Sequence, residues 1–321
     1  IFAFGRRIMT GFVVLHGGIL SLLQDSGRFG QTAFGLTCGG PMDPSSAQWA
    51  NRLLQNPLHA TLIECSIGGL KLQAQLNSFI CITGATLPVT INTELQPQWS
   101  VLPVKAGDVI ELGMVSQGQR AYLAVAGGFN IATQFGSTAT VLREGIGGLN
   151  GSKLQSGDSL PASSCQTKVT WRLPEQYQPK FTRTLTLRVV EGYQIDSFST
   201  ESREQFYQHC YRVTPQADRM GYKLQGAAIA CRDEPLLSEG ICYGAIQVPP
   251  DGQPIVLLND RQTLGGYPKL GSVLSLDCAL LAQASAGTEI YFMPISVQQA
   301  QHALRLAKVR TDAIANTLEP I

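Results

Sequence analysis

Short apolar runs and period-two alternations, each closed by glycine or proline, constrain this chain more than any other feature. Side chains on a strand point alternately to its two faces. A half-buried strand therefore alternates apolar and polar residues, and a strand covered on both faces reads as a short apolar run. Residues 78–83, 87–92, 108–112, 121–126 and 184–190 each take one of these forms. The 33 glycines and 17 prolines supply the tight turns such a chain needs. Asn150-Gly151 is a hairpin-turn dipeptide. The expected fold is mainly β with a few helices.

Three helices are expected. Asp43 precedes Pro44 as an N-cap before a first-turn proline, Ala47, Ala50, Leu53 and Leu54 share a face, and Asn56-Pro57 ends the helix. A second covers 201–209. A third starts at Ser296, where Gln299 completes a capping box, with Ala300, Ala303, Leu304 and Ala307 as its apolar stripe. A length of 321 residues suits about two domains. The polar, aperiodic stretch 162–183 is the expected linker between an N-terminal β-rich lobe, 9–161, and a C-terminal lobe, 184–312, that ends in the third helix. Residues 313–321 read as a tail. Residues 106–112 echo 286–292, both a turn feeding a late strand.

Arg6 and Arg7 ahead of the apolar run 8–23 have the outline of a signal peptide. His16, Gly17 and Gly18 interrupt the run and no small-x-small site follows, so neither a signal peptide nor a bilayer span is expected. Met9 reads as the natural start and residues 1–8 as an upstream extension or tag, which points to a cytoplasmic protein. The eight cysteines are irregularly spaced and form no CxxC pair. They are expected as reduced, mostly buried thiols.

With 44% hydrophobic and 15% charged residues the chain can pack a core and is not disordered. A formal net charge of +1 gives no electrostatic hold on nucleic acid or on an anionic membrane. No GxxxxGK[ST] occurs, so an ATP site here is not a P-loop. The four histidines, 16, 59, 209 and 302, are scattered and no HExxH occurs, so no zinc is expected. The nearest approach to a nucleophile elbow, 64–68, has Glu64 where the turn requires glycine.

Polar residues gather in four loop-like stretches: 24–30, 38–43, 218–222, and a long one comprising 238–240, 247–253 and 260–269. In the last, Asp260, Arg261, Gln262, Tyr267 and Lys269 lie within ten residues, and Gly265-Gly266 lets backbone approach a ligand. A carboxylate, a guanidinium, an amide, a hydroxyl and an ammonium together suit a small anionic amide or a phosphorylated intermediate. The other stretches admit plainer readings beside a functional one. Asp25 and Arg28 can be a structural ion pair, Asp43 a helix cap only, Asp218-Arg219 a surface pair of little weight, and residues 145–151 a hairpin loop.

These stretches also carry a family resemblance. Gln24-Asp25, Gly27-Arg28, Gly40, Met42-Asp43, Ala50-Asn51, Glu64, Gly68-Gly69, Thr83-Gly84-Ala85, the run 120–128 and Gly136-Ser137 match it in order. So do Asp218-Arg219-Met220-Gly221, the runs 237–240 and 244–254, Asp260 to Thr263 and Gly265 to Lys269. The chain resembles the 5-oxoprolinase C-subunit family, also known as the KipI antagonist, allophanate hydrolase subunit 2 or biotin-dependent carboxyltransferase family. The resemblance implies two β-barrel-like lobes of cyclophilin-like type. It implies a cytoplasmic complex with a KipI-like B subunit and an A subunit that opens 5-oxoproline to glutamate with ATP and Mg²⁺.

Within that reading Arg28, Arg261 and Lys269 face phosphoryl or carboxylate charge. Asp25, Asp218 and Asp260 orient them or hold the Mg²⁺. Gln247, Gln262 and Tyr267 bind the substrate amide and carboxylate, with Arg219 and Asp43 beside them. Two alternatives stand against it. One is a carboxyltransferase-type component acting on a urea-like amide with carboxybiotin. The other is a non-catalytic antagonist that binds a KipI-like kinase inhibitor.

Overall fold

The computed structural model describes residues 10–166, 169–231 and 237–318; Met9 and the extension before it lie outside them. The first lobe holds β1 (Gly11–Gly17), β2 (Leu20–Gln24), β3 (Leu62–Ser66), β4 (Leu70–Ala74), β5 (Ser78–Thr86) and β6 (Val89–Ile91). It continues with β7 (Glu94–Gln96), β8 (Val101–Val104), β9 (Val109–Leu112), β10 (Gln117–Val125) and β11 (Ser159–Pro161). These form two sheets, ordered β11-β1-β4-β9-β6-β7 and β2-β3-β10-β5-β8.

The sheets share one core, in which Phe12, Val14, Leu72 and Ile110 of the first meet Ile63, Ile80, Ile82 and Leu123 of the second. The second sheet is covered on its other face as well. Helix α1 (Pro44–Leu53) packs there, so Tyr122 and Ala124 of β10 and Cys81 of β5 belong to a separate cluster with Trp49, Ala50 and Leu53. Coverage on both faces is why 78–83 and 121–126 read as apolar runs and not as alternations.

The second lobe holds β12 (Thr184–Glu191), β13 (Tyr211–Ala217), β14 (Gly221–Gln225), β15 (Glu239–Gly240), β16 (Ala245–Gln247), β17 (Ile255–Leu257), β18 (Leu264–Gly265), β19 (Lys269–Val273) and β20 (Glu289–Pro294). Seven of them close a barrel, β12-β19-β16-β17-β14-β13-β20, and β15 and β18 form a separate two-stranded ribbon. The barrel interior packs Leu187, Val213, Ile246, Val256, Leu270 and Ile290. Phe206 of α2 (Thr200–Gln208) plugs it, stacked on Phe292 with ring centroids 4.3 Å apart. The fold is thus mainly β with four helices among the described residues, as the strand pattern leads one to expect.

The expected helices occur with the expected caps. Asp43 accepts from Ser46 N at the start of α1, and Ser296 and Gln299 form the capping box of α4 (Val297–Asn316). Asn150 and Gly151 both take positive φ, 56° and 67°, between the bridged Leu149 and Ser152. Gly107 and Gly287, the echoed turns, both take left-handed φ ahead of a strand.

Two segments differ from the expectation. Helix α3 (Ser275–Ala282) carries no periodic signal, because it is apolar nearly all round. The stretch expected as a linker is laid on the first lobe, where Leu173 N donates to Trp99 O at 2.9 Å and Leu173 is buried among Trp49 and Trp99. Its contacts are single bridges and not a ladder, so no strand period marks it. Likewise α4 runs on through residue 316, with Ile314 and Ala315 seated against the α1 cluster.

Candidate functional site at the seam between the lobes

The lobes meet over a buried polar network. Arg219, in the turn after β13, donates from Nε and Nη2 to both oxygens of Asp260 at 2.8 and 2.9 Å. Its Nη1 donates to Glu64 Oε1 of β3 at 2.5 Å, and Nη2 also reaches Gly40 O at 2.8 Å. Glu64 Oε2 accepts from Met42 N at 2.8 Å and from the Tyr122 hydroxyl at 2.9 Å. Tyr122 in turn accepts from Asp43 N at 2.7 Å. Gln283, at the end of α3, donates to Asp43 Oδ2 and to Arg120 O, both at 3.0 Å.

Burial works against the Arg219 charge, yet the Asp260 and Glu64 carboxylates outweigh it and hold its pKa above the ordinary arginine value. Burial raises Asp43 above the usual carboxylate range, against hydrogen bonds from Ser46 and Gln283.

Beside this network lies a cavity of about 240 Å³, with Asp25, Phe29, Gly39 and Asn51 on one side and Tyr243, Asn259 and Arg261 on the other. Asp25 follows the end of β2. Its Oδ1 accepts from Ser137 Oγ at 2.5 Å and Gly27 N at 2.9 Å, and its Oδ2 from Thr138 N at 2.8 Å. Arg261 follows β17. Its Nε donates to Ile241 O and its Nη1 to Leu258 O, both at 3.1 Å, and its guanidinium lies 5.8 Å from the Tyr243 ring centroid. Among the described residues no carboxylate stands within ion-pair distance of Arg261, and Nη2 has no protein acceptor. Asn259 ties the lobes together, its Nδ2 donating to Gly39 O at 3.2 Å and Pro41 O at 3.1 Å.

The structure sorts the residues singled out in the sequence into separate places. Asp25 and Arg261 share the cavity. Arg28 lies behind it, 1% exposed, donating to Ala139 O at 2.8 Å and Gln134 O at 3.3 Å. Burial depresses its pKa, and the charges of Asp25 and Glu144 oppose that shift. The Asp25–Arg28 ion pair does not form, because both side chains reach separately into the 134–139 loop.

Asp43, Arg219 and Asp260 belong to the seam network. Asp43 is a helix cap and also a network member. Asp218-Arg219 is not a surface pair: exposed Asp218 caps its own turn, accepting from Met220 N at 2.7 Å, while Arg219 turns inward. Gln247 and Lys269 lie under the β15–β18 ribbon, away from the cavity wall. Tyr267 is exposed and Gln262 half-buried.

Sequence reasoning missed Glu64, Tyr122, Arg120 and Gln283 in the network, and Tyr243 and Asn259 in the cavity. One signal was available: Glu64 is a carboxylate inside a wholly buried strand, and a buried carboxylate requires partners.

The lobes are mainly β and joined by a buried ionic seam, one of them is a closed seven-stranded barrel, and a small, largely apolar cavity lies beside the seam. The profile of the Carboxyltransferase domain, subdomain A and B, matches residues 34–294, and the chain belongs to that family. It is 33% identical over 291 residues to the C subunit of the Escherichia coli 5-oxoprolinase, covering 90% of this chain and 93% of that one. It is also 33% identical over 299 residues to the C subunit of the Haemophilus influenzae 5-oxoprolinase, covering 92% and 95%. The crystal structure of the Kluyveromyces lactis urea carboxylase superposes with a TM-score of 0.87 at 28% identity, over 96% of this chain but only 29% of that one.

Proposed function

We propose that the chain is the C-type subunit of a cytoplasmic, ATP-dependent 5-oxoprolinase, and that the seam cavity holds the lactam. The observation that carries this reading is the similarity to two 5-oxoprolinase C subunits, 33% identity over 93% and 95% of their lengths, against 28% to the urea carboxylase.

The chemistry of the cavity agrees. 5-Oxoproline is a small amide with a carboxylate, and Arg261 offers a guanidinium whose charge no acid neutralises among the described residues. Tyr243, Pro41, Pro44 and Leu62 give the rest of the wall an apolar surface that excludes water, which strengthens the charge contact. Asp25, already accepting three hydrogen bonds, fixes the loop that forms the opposite wall.

The seam residues do not build a metal site of their own. Among the described residues no three His, Cys, Asp or Glu side chains converge to hold a metal ion. Asp260 is occupied by Arg219, and Asp218 caps an exposed turn. ATP and Mg²⁺ therefore belong to the partner side in this reading, with a KipI-like B subunit supplying phosphate contacts and an A subunit completing hydrolysis. What this chain does is bind the substrate, orient it and shield it. Arg261 faces the carboxylate or the charge developing on the activated amide oxygen.

The test is reconstitution with B and A subunits and an assay of 5-oxoproline-dependent glutamate release. Turnover is expected with ATP, without biotin, and only in the complex. Arg261→Ala is expected to lower it about 10²-fold, equivalent to about 3 kcal/mol. Turnover of a urea-like amide that requires carboxybiotin identifies the carboxyltransferase reading instead. An assembled complex inert on every amide identifies the antagonist.

A further inference from the structure

Outside the seam, one cluster of buried polar groups serves neither the network nor the cavity. In the β16–β19 pair, Gln247 stands opposite Lys269. Residues opposite one another on antiparallel strands place their side chains on one face, within contact reach. Both are buried, at 2% and 9% exposure. Ile246 next door points into the barrel core, so Gln247 and Lys269 face outward, beneath the ribbon. The ribbon lies so close that a Cβ on Gly265 would stand 2.7 Å from Gln247 Nε2.

This amide nitrogen has no acceptor among the described residues. Lys269 Nζ forms an ion pair with Glu239 Oε1. Gln194 Nε2 donates to the same oxygen at 2.7 Å, and Gln194 Oε1 accepts from Lys269 N at 2.9 Å. The Lys269 ammonium and the Gln194 amide thus share one carboxylate oxygen, and the buried Gln247 amide nitrogen beside them is left without an acceptor among the described residues. Buried donors in surplus are costly to keep, and such a surplus marks a place suited to an anion.

We propose that Lys269, Gln247 and Gln194 form a second ligand site, for a small carboxylate, and that Glu239 is its built-in competitor. The ribbon carries the Glu239 carboxylate into the position that a ligand carboxylate takes when the ribbon lifts. The pairs Glu239↔Gly265 and Gly240↔Leu264, continued by Ile241 N donating to Thr263 O at 3.0 Å, hold its strands to each other. The ribbon is not a strand of the barrel, so moving it leaves the barrel ladder paired.

Sodium glutamate is the probe, titrated calorimetrically into the full chain. Removing an internal competitor raises apparent affinity by the reciprocal of the fraction of sites it had left open. Glu239→Ala is therefore expected to bind glutamate about tenfold or more tightly than the wild type. Adding Lys269→Met to that variant reverses the gain, and Arg261→Ala leaves it untouched, which separates this site from the seam cavity. If Lys269→Met melts early, Gln247→Leu replaces it and is likewise expected to weaken binding. Equal affinity in wild type and Glu239→Ala overturns the proposal. So does the absence of any binding heat in Glu239→Ala, and so does binding lost with Arg261→Ala but kept with Lys269→Met.

Discussion

Arg219 and Arg261 flank the same seam and meet opposite surroundings. Arg219 is buried between two carboxylates, one from each lobe, and every nitrogen of its guanidinium is engaged. Among the described residues Arg261 is held by two neutral carbonyls and the face of a tyrosine. Carbonyls fix the plane of a guanidinium without cancelling its charge, whereas carboxylates cancel it. The first arrangement fastens the lobes together. The second keeps a cation oriented toward a cavity and available to an anion.

The contrast predicts that the two arginines fail in different ways. Arg219→Met removes the cation from two buried carboxylates and is expected to cost about 3–5 kcal/mol of stability, read as a lower urea midpoint. A loss under about 1 kcal/mol would show that the seam does not depend on it. Arg261→Lys keeps the charge and loses the planar fork. Its unfolding free energy in urea is expected to change by less than about 1 kcal/mol, while turnover of the reconstituted complex stays well below wild type. Recovery of wild-type rates would reduce Arg261 to a point charge. Asp218→Ala, on the exposed side of the same turn as Arg219, is expected to shift stability by about 0.5 kcal/mol or less. A larger loss would mean that the turn itself, and not the ion pair, positions Arg219.

Much of the architecture was legible because it is local. Asp43-Pro44 and Ser296 with Gln299 mark helix starts within four residues, and the runs 78–83 and 121–126 record burial on both faces of single strands. The network was not legible, because Glu64 and Arg219 are 155 residues apart and meet only when the lobes dock. Sequence adjacency misled for the same reason. Asp25 and Arg28 bind a loop more than a hundred residues onward. Asp260, Arg261 and Lys269, near neighbours in the chain, serve three different places: the network, the cavity and the underside of the ribbon. A strand and its turns send successive side chains to opposite faces, so a compact motif in sequence need not be a compact site.

The barrel closes between its first and last strands. β12 lies parallel to β20, with Leu187 beside Phe292. During synthesis β12 leaves the ribosome early and waits with both edges unpaired until β19 and then β20 have followed. An open edge of that kind invites pairing with another chain, and contacts so distant in sequence form slowly. The nascent second lobe is therefore the part of this protein most dependent on timely chain completion. A truncation just before residue 289 would leave β12 permanently without the neighbour that closes the barrel.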